Sequence, residues 1–297
     1  MIEYTGFTDE ASNTIEGQIR AVKTLGWNYL ELRAVNGTNT HDLPDEEFAA
    51  VRSALEKAEI RVSCLGTNIA NWGTSVENPF DDTLAILERA VRCGRQLKTT
   101  YARIMSYQVR TDENGAVLPD QMEEERFRRL RIVCDKLLEN GITPVHENCF
   151  NYGGMSWKHT QKLLEAVPGL KLAFDTGNPP LQYDYSRNGA SHLQNSWEFY
   201  QNVKPAIAYV HIKDAVLEQE TGKELYHYPG QGAGDIQRIL QDLLSSGYSG
   251  FCSIEPHMAV VYHDASAVAS DEQRFTNFVE YGRRFMEIVQ GITGSPA

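Results

Sequence analysis

Four short apolar runs in this chain end on a residue able to hold a metal ion. Pro144-Val-His-Glu147, Leu172-Ala-Phe-Asp175, Ala208-Tyr-Val-His211 and Cys252-Ser-Ile-Glu255 each lead from residues suited to a buried strand into one carboxylate or imidazole. At the rim of a sheet those are metal donors. Any one of them, taken alone, suits a strand-end ion pair or a cap. Together, Glu147, Asp175, His211 and Glu255 offer three carboxylates and one imidazole, an oxygen-rich set that favours Mn²⁺, Mg²⁺ or Co²⁺ and leaves Zn²⁺ open.

Four such residues meet only if the elements beneath them place them at one end of one sheet. At 297 residues the chain has the length of an α/β barrel folded as one domain, and equally of two ordinary domains. The reading favoured is one domain over 1–297. A hydrophobic fraction of 41% supplies a sizeable core, and 40 acidic against 28 basic residues give a net charge of −12. That balance argues against binding a nucleic-acid backbone, while a local basic pocket for a small anion stays open. Five scattered cysteines (Cys64, Cys93, Cys134, Cys149 and Cys252) without a C-x-x-C pair read as reduced thiols. The first residues show no leader pattern, and no apolar run approaches the roughly 20 residues of a membrane span. The expectation is a cytoplasmic protein.

Strand and helix patterns alternate along the whole chain. Strands are expected at 2–7, 28–33, 60–66, 100–105, 142–147, 170–175, 207–213 and 251–255. The first helix carries Ile15, Ile19, Val22 and Leu25 at helical spacing, with Ser12 as its cap and Gly26 as its stop. Pro44 opens a second helix, and Asp81 or Asp82 caps a third. A fourth, from about Asp120, bears Phe127, Leu130, Cys134, Leu137 and Leu138 on one stripe and ends at Asn140-Gly141. Further helices are expected near 157–167, 197–203, 236–244 and 271–289, with a Gly-, Pro- and Tyr-rich loop over 176–195. Eight such pairs read as a single (β/α)8 TIM barrel, in which strand C-termini converge on one mouth. A doubly wound open sheet shares the alternation but not the count of eight.

Strand parity then sorts the polar residues. Leu30 and Leu32 face the helices, so Glu31 and Arg33 face the interior; Arg103 and Lys213 have interior parity as well. Each of these three cations can meet a substrate oxygen or pair with a barrel acid. His146 points away from the mouth if Glu147 points in, and His257 shares the parity of Glu255. The run Gly230-Gln-Gly-Ala-Gly234 invites an anion-loop reading but lacks the lysine and Ser/Thr of a nucleotide loop; a tight entry into the seventh helix, capped near Asp235, is the simpler account. Trp72, Trp157, Trp197 and the tyrosines of 183–185 and 226–228 are expected in loops after strands, stacking on a sugar face or covering the mouth.

Glu147-Asn148, Phe174-Asp175-Thr-Gly-Asn178, His211-Ile-Lys213-Asp214 and Ser253-Ile-Glu255, with Asp9-Glu10 and Glu31-Leu-Arg33 upstream, resemble the motifs of the sugar phosphate isomerase/epimerase family, the xylose-isomerase-like barrels. The resemblance implies a divalent metal, Mn²⁺ foremost, on Glu147, Asp175, His211 and Glu255. It also implies Glu147 and Glu255 as the pair that exchanges protons with the carbon beside a sugar carbonyl. Asn178 and, by their interior parity, Lys213, Arg33, Arg103 and His257 are the candidate substrate contacts. This chain departs from many relatives at Asn178 and from some at Cys149, where they carry histidines.

Three readings stay open: a keto-sugar isomerase or epimerase acting by enolisation, a dehydratase or lyase on a keto-sugar or keto-glycoside using the same enolate, and a sugar-binding barrel without activity. The expected partner is a small sugar, with neither nucleic acid nor membrane, and a homo-oligomer is possible. The endonuclease branch of the family needs further metal ligands and a basic groove, which the charge balance does not favour.

Overall fold

The computed structural model describes residues 2–187, 192–259 and 269–294; part of the loop expected over 176–195 lies outside them. Among the described residues, eight parallel strands close into a barrel wrapped by helices. In chain order they are β1 (Glu3–Gly6), α1 (Ile15–Thr24), β2 (Tyr29–Leu32), α2 (Asp45–Ala58), β3 (Arg61–Gly66), α3 (Phe80–Leu97), β4 (Tyr101–Ile104), α4 (Glu123–Glu139), β5 (Thr143–Glu147), α5 (Trp157–Ala166), β6 (Lys171–Asp175), α6 (Ser196–Val203), β7 (Ile207–Ile212), α7 (Ile236–Ser245), β8 (Phe251–Ile254) and α8 (Asp271–Thr293). The ladder runs β1-β8-β7-β6-β5-β4-β3-β2. Between β2 and β1 a single bridge, Phe7 to Glu31, joins the ends.

Period-two alternation decides what each strand shows to either side. Cys64, Val145, Ala173 and Tyr209 plug the lower interior, with Tyr101, Ala208 and Phe251 against them. Leu30, Leu32, Leu172, Phe174, Val210 and Ile254 pack outward into the helix layer. One step further along the strands from Val145, Ala173, Tyr209 and Ser253 come Glu147, Asp175, His211 and Glu255. The same parity that buries the plug therefore aims these four into the mouth.

Several local expectations are corrected. Thr14, not Ser12, caps α1 by accepting from the Gly17 amide; the Ser12 hydroxyl accepts from the Thr14 amide instead. Helix α3 begins at Phe80 behind Pro79, so Asp81 and Asp82 sit inside its first turn, where a carboxylate complements the helix dipole without capping. Asp120 accepts from the Met122 amide, a turn that delays α4 to Glu123. Leu138 is 41% exposed and lies off the buried stripe of α4. Trp157 and Trp197 fall in the first turns of α5 and α6 and pack against the core rather than over the mouth. Strand β7 stops at Ile212, and a hairpin of Asp214–Glu218 and Lys223–His227, not anticipated from the sequence, rises after it.

The glycine-rich run does bind an anion, and the anion is the protein's own. Amides of Gly230, Gly232 and Gly234 donate to the Asp214 carboxylate at 2.8, 3.0 and 2.8 Å. A Cβ on Gly232 would stand 2.5 Å from that carboxylate, so the close approach needs glycine. Asp235 precedes α7 with φ of +50° and makes no side-chain cap, contrary to the sequence expectation. This clamp fixes the residue after Lys213. Gly177, whose Cβ would stand 2.7 Å from the Lys213 carbonyl oxygen, presses on Lys213 from the other side.

Candidate metal centre and active site

The end of β5 is locked to the end of β6 before any ligand is considered. Asn148 donates to the Asp175 carbonyl at 3.0 Å and accepts from the Asp175 amide at 2.7 Å. Asp175 Oδ1 then accepts from the amides of Gly177 and Asn178 at 2.8 and 2.7 Å. One carboxylate oxygen is thereby spent on its own loop. The other, Oδ2, turns inward, 3.1 Å from the Lys213 ammonium.

His211 is held in the same manner from below. Its Nε2 lies 3.2 and 3.3 Å from the two oxygens of Glu31, and Ser253 donates to Glu31 at 2.6 Å. Fixing Nε2 on a carboxylate points Nδ1 at the acids above, 4.0 Å from Glu147 Oε1. Glu147 Oε2 takes the Arg103 guanidinium at 2.6 Å, and its Oε1 accepts from Asn178 at 3.2 Å. Glu255 is bridged by Lys213 at 2.9 Å and Arg33 at 3.2 Å.

One donor atom from each of Glu147, Asp175, His211 and Glu255 lies within 4.8 Å of the other three. All four side chains are buried. His211 Nδ1 is buried without a hydrogen-bond partner, and Asp175 Oδ2 has the Lys213 ammonium beside it but no hydrogen bond of good geometry, although orphaned polar atoms are costly. Both belong to the converging set, as donors able to share one cation should. The electrostatics agree. Burial, with like charge from Glu255 and Glu147, pushes the Asp175 carboxyl up to about 7 despite Lys213. Burial also opposes charge on His211, but Glu31 overrides it and raises the imidazole to about 9. Burial works against ionising Glu147 and Glu255 too; Arg103 for the first and Lys213 for the second pull them below the usual carboxylate range. The donor set thus fits a divalent cation.

Above the quartet opens a cavity of about 610 Å³, lined by Glu147, Glu255, Arg33, Arg103, Asn178, Lys213 and His257 among others. Asp175 and His211, at 0% exposure, lie outside its lining. The sequence-derived site residues therefore come together, with the cations already engaged. Arg33 forks onto Asp9 and also reaches Glu10 and Glu255. Arg103 bonds Glu147 and the Thr67 carbonyl. His257 accompanies Glu10 at 2.9 Å and stands 3.8 Å from Glu255. Two functions for these cations, contact with substrate or pairing with acids, were open in the sequence; in the structure the pairing is present.

Glu31, Asp9, Glu10 and Asn148 stood in the resembling motifs but were given no role in the sequence-derived site. Interior parity was the signal for Glu31. Asp9, Glu10 and Asn148 follow strand ends, where parity no longer applies, and nothing in their spacing revealed their partners.

His146 points outward, as parity requires, with Nε2 3.0 Å from both Ser106 Oγ and Asn151 Oδ1. Burial lowers it to about 4. Because the unfolded chain takes up this proton near pH 6.5 and the folded one near 4, the unfolded state binds more protons between those values, and stability falls as pH drops through that window. At pH 5 the cost is about 2 kcal/mol. Chemical denaturation of His146→Gln against the parent at pH 7 and pH 5 should show a shallower loss in the variant; parallel losses would contradict it.

The fold and quartet can be set beside known proteins. A D-tagatose 3-epimerase-like protein superposes with a TM-score of 0.70 at 13% identity, covering 99% of each chain. A xylose isomerase-like TIM barrel protein from Mycobacterium smegmatis, solved in complex with magnesium, gives 0.65 at 17% identity over 94% of this chain and 97% of that one. A probable 3-DHS dehydratase involved in petrobactin synthesis from Bacillus anthracis gives 0.64 at 15% over 94% and 97%. No curated protein sequence matches this chain, and no helix among the described residues is long and apolar enough to cross a membrane. At such identities these structures speak for the fold alone. The sequence model of one family, however, matches residues 19–277, a span that runs from the first helix through all four ligand-bearing strand ends into the last helix: the chain belongs to the xylose isomerase-like TIM barrel family.

Proposed function

We propose that this protein is a divalent-metal-dependent keto-sugar epimerase or isomerase acting by enolisation. The observation that carries the reading is the convergence of two glutamates, Glu147 and Glu255, that line one cavity and share a donor set held within 4.8 Å. Glu147 and Glu255 rise from strands separated by two others, β6 and β7, so they approach a bound sugar from different sides. One carboxylate takes the proton from the carbon beside the carbonyl. That C–H electron pair becomes the enolate double bond, and the carbonyl pair moves to oxygen. Glu147, Asp175, His211 and Glu255 would hold a cation that stabilises the negative oxygen, with Mn²⁺ preferred and Mg²⁺, Co²⁺ or Zn²⁺ as alternatives. The other glutamate enters the cycle protonated and gives its proton to the opposite face, so the two carboxyl groups exchange protonation states with each turnover. Lys213, 2.9 Å from Glu255, balances the charge of that carboxylate, and Asn178 donates to Glu147 and orients it.

A second reading is elimination from the same enolate, expelling a hydroxide or alkoxide from the next carbon. His257, beside Glu255 and anchored on Glu10, favours it as a hydrogen-bonding group for a departing oxygen. Five buried free thiols support the cytoplasmic, reducing setting.

The test is proton-to-deuterium exchange in D₂O by protein loaded in turn with each metal, over a panel of ketoses. Deuterium at the carbon beside the carbonyl, with a new epimer, is expected; release of water or alcohol would select elimination. Absence of exchange with every metal and sugar would leave the inactive sugar-binding barrel.

A further inference from the structure

The cavity wall away from the quartet carries an arrangement that the enolisation chemistry leaves unused. In the closed ring of strands β3 lies opposite β7, so the loop after β3 rises across the mouth from the ligand-bearing half. Asn68 and Asn71 of that loop are half-buried and line the cavity. The loop is tied to the strand of Arg103: the Thr67 hydroxyl donates to the Arg103 carbonyl at 2.6 Å, and the Arg103 guanidinium donates to the Thr67 carbonyl at 3.1 Å. The backbone leading into Asn68 is thereby set.

Behind Asn68 lies His41, fully buried in the single turn Thr40–Asp42. The amide and hydroxyl of Thr40 both donate to the Arg33 carbonyl, at 2.9 and 3.2 Å, which fastens that turn to the end of β2. His41 Nε2 is 2.6 Å from Asn68 Oδ1 and 3.6 Å from Asp42 Oδ2, whereas its Nδ1 is buried with no partner among the described residues. A proton on Nδ1 would be a buried donor with nothing to accept it, and Nε2 would then turn a lone pair toward two oxygens. Geometry therefore puts the proton on Nε2. Burial holds the imidazole below its ordinary pKa, so at pH 7 it is neutral and carries that one proton alone. With Oδ1 turned back to His41, the NH₂ group is the part of Asn68 left for the cavity. Asn71 is committed in the same sense, since its Oδ1 accepts from the Gly73 amide at 2.7 Å.

We propose that Asn68 binds the substrate as a hydrogen-bond donor to an oxygen at the end remote from the quartet, and that His41 is the positioning residue that fixes the amide's orientation. This takes from the enolisation reading only that the substrate lies in this cavity. Nitrogen NMR of the isotope-labelled His41 ring should show a neutral imidazole protonated at Nε2; protonation at Nδ1 overturns the proposal. Binding of fructose, tagatose, psicose and sorbose to metal-loaded protein is read by calorimetry, with KM and kcat wherever a sugar exchanges deuterium. Asn68→Ala should weaken the tightest-bound ketose about 3- to 10-fold in Kd or KM, the scale of one neutral hydrogen bond, with kcat little changed. His41→Leu should lose as much, and His41→Gln, whose amide nitrogen can still donate to Asn68, should recover most of it. Thermal melts of both His41 variants separate this from simple loosening, which would track stability rather than the restored donor. Unchanged affinity in Asn68→Ala, equal affinity in His41→Leu and His41→Gln, or no ketose bound by the parent overturns the proposal. Asn68-dependent binding without deuterium exchange would sink enolisation and sustain the role of Asn68; exchange with affinity blind to Asn68 would sink that role alone.

Discussion

Net epimerisation of a ketose should fall by about 10²- to 10⁴-fold in both Glu147→Gln and Glu255→Gln, the contribution typical of a positioned proton-transfer group. Deuterium exchange should separate the two variants. If each glutamate serves one face, Glu255→Gln keeps Glu147 as a base and still washes a proton out of one epimer, while Glu147→Gln does so only for the other. Equal loss of exchange from both epimers in both variants would mean that the residues act only as metal ligands, and metal content per chain measures that directly. Glutamine preserves the shape but strips Arg103 or Lys213 of a buried counter-charge, which costs about 3–5 kcal/mol. Thermal melts are therefore needed beside the kinetics. A variant that melts near the parent and has lost conversion supports the catalytic assignment.

Glu31→Gln should weaken metal binding by about 10- to 100-fold without touching the cavity wall. Glu31 is fully buried beneath the centre, bonded to His211 Nε2 and Ser253. It holds the imidazole so that Nδ1 faces the acids, and its charge makes that nitrogen more basic. Glutamine can keep one hydrogen bond to His211 and lose the charge, so affinity should fall more than geometry changes. Calorimetric titration of Mn²⁺ or Zn²⁺ into metal-stripped protein reads the effect, and unchanged affinity would remove Glu31 from the account of the site. KM for a sugar, measured at saturating metal, should remain close to the parent value, because Glu31 reaches no part of the cavity lining.

The barrel and its quartet were legible because one rule, period-two alternation, governs both. Val145 and Glu147, Ala173 and Asp175, Tyr209 and His211 share strand parity, so the residues that fill the interior announce those that crown it. The same rule placed His146 outside and Glu31 inside. Legibility ended where the chain left the strands. The partners of Arg33 lie on the turn after β1 and at the mouth end of β8, pairings set by closure of the barrel rather than by local spacing. The glycine-rich loop read correctly as unlike a nucleotide loop, yet its target, Asp214, belongs to a hairpin that begins just past the expected end of the seventh strand and was not anticipated. Helix starts went astray at Ser12 and Asp120 for a related reason: a side chain that can cap a helix can equally close a turn just before it.

The single bridge between β1 and β2 has a mechanical consequence. Where the other strands are zipped by ladders, this seam is held by side chains reaching across the interior. Glu31, on one lip, ties to His211 and Ser253 on β7 and β8. Phe7, on the other lip, lays its ring 5.0 Å from that of His211 and beneath the guanidinium of Arg33. The barrel is thus a split cylinder with a cross-brace, and the brace ends on the imidazole of the quartet. Sparse backbone bonding leaves the seam to this side-chain bracing, so an ion bound at His211 would also stiffen the lips, and occupancy at the centre would be felt as tightness at the slit.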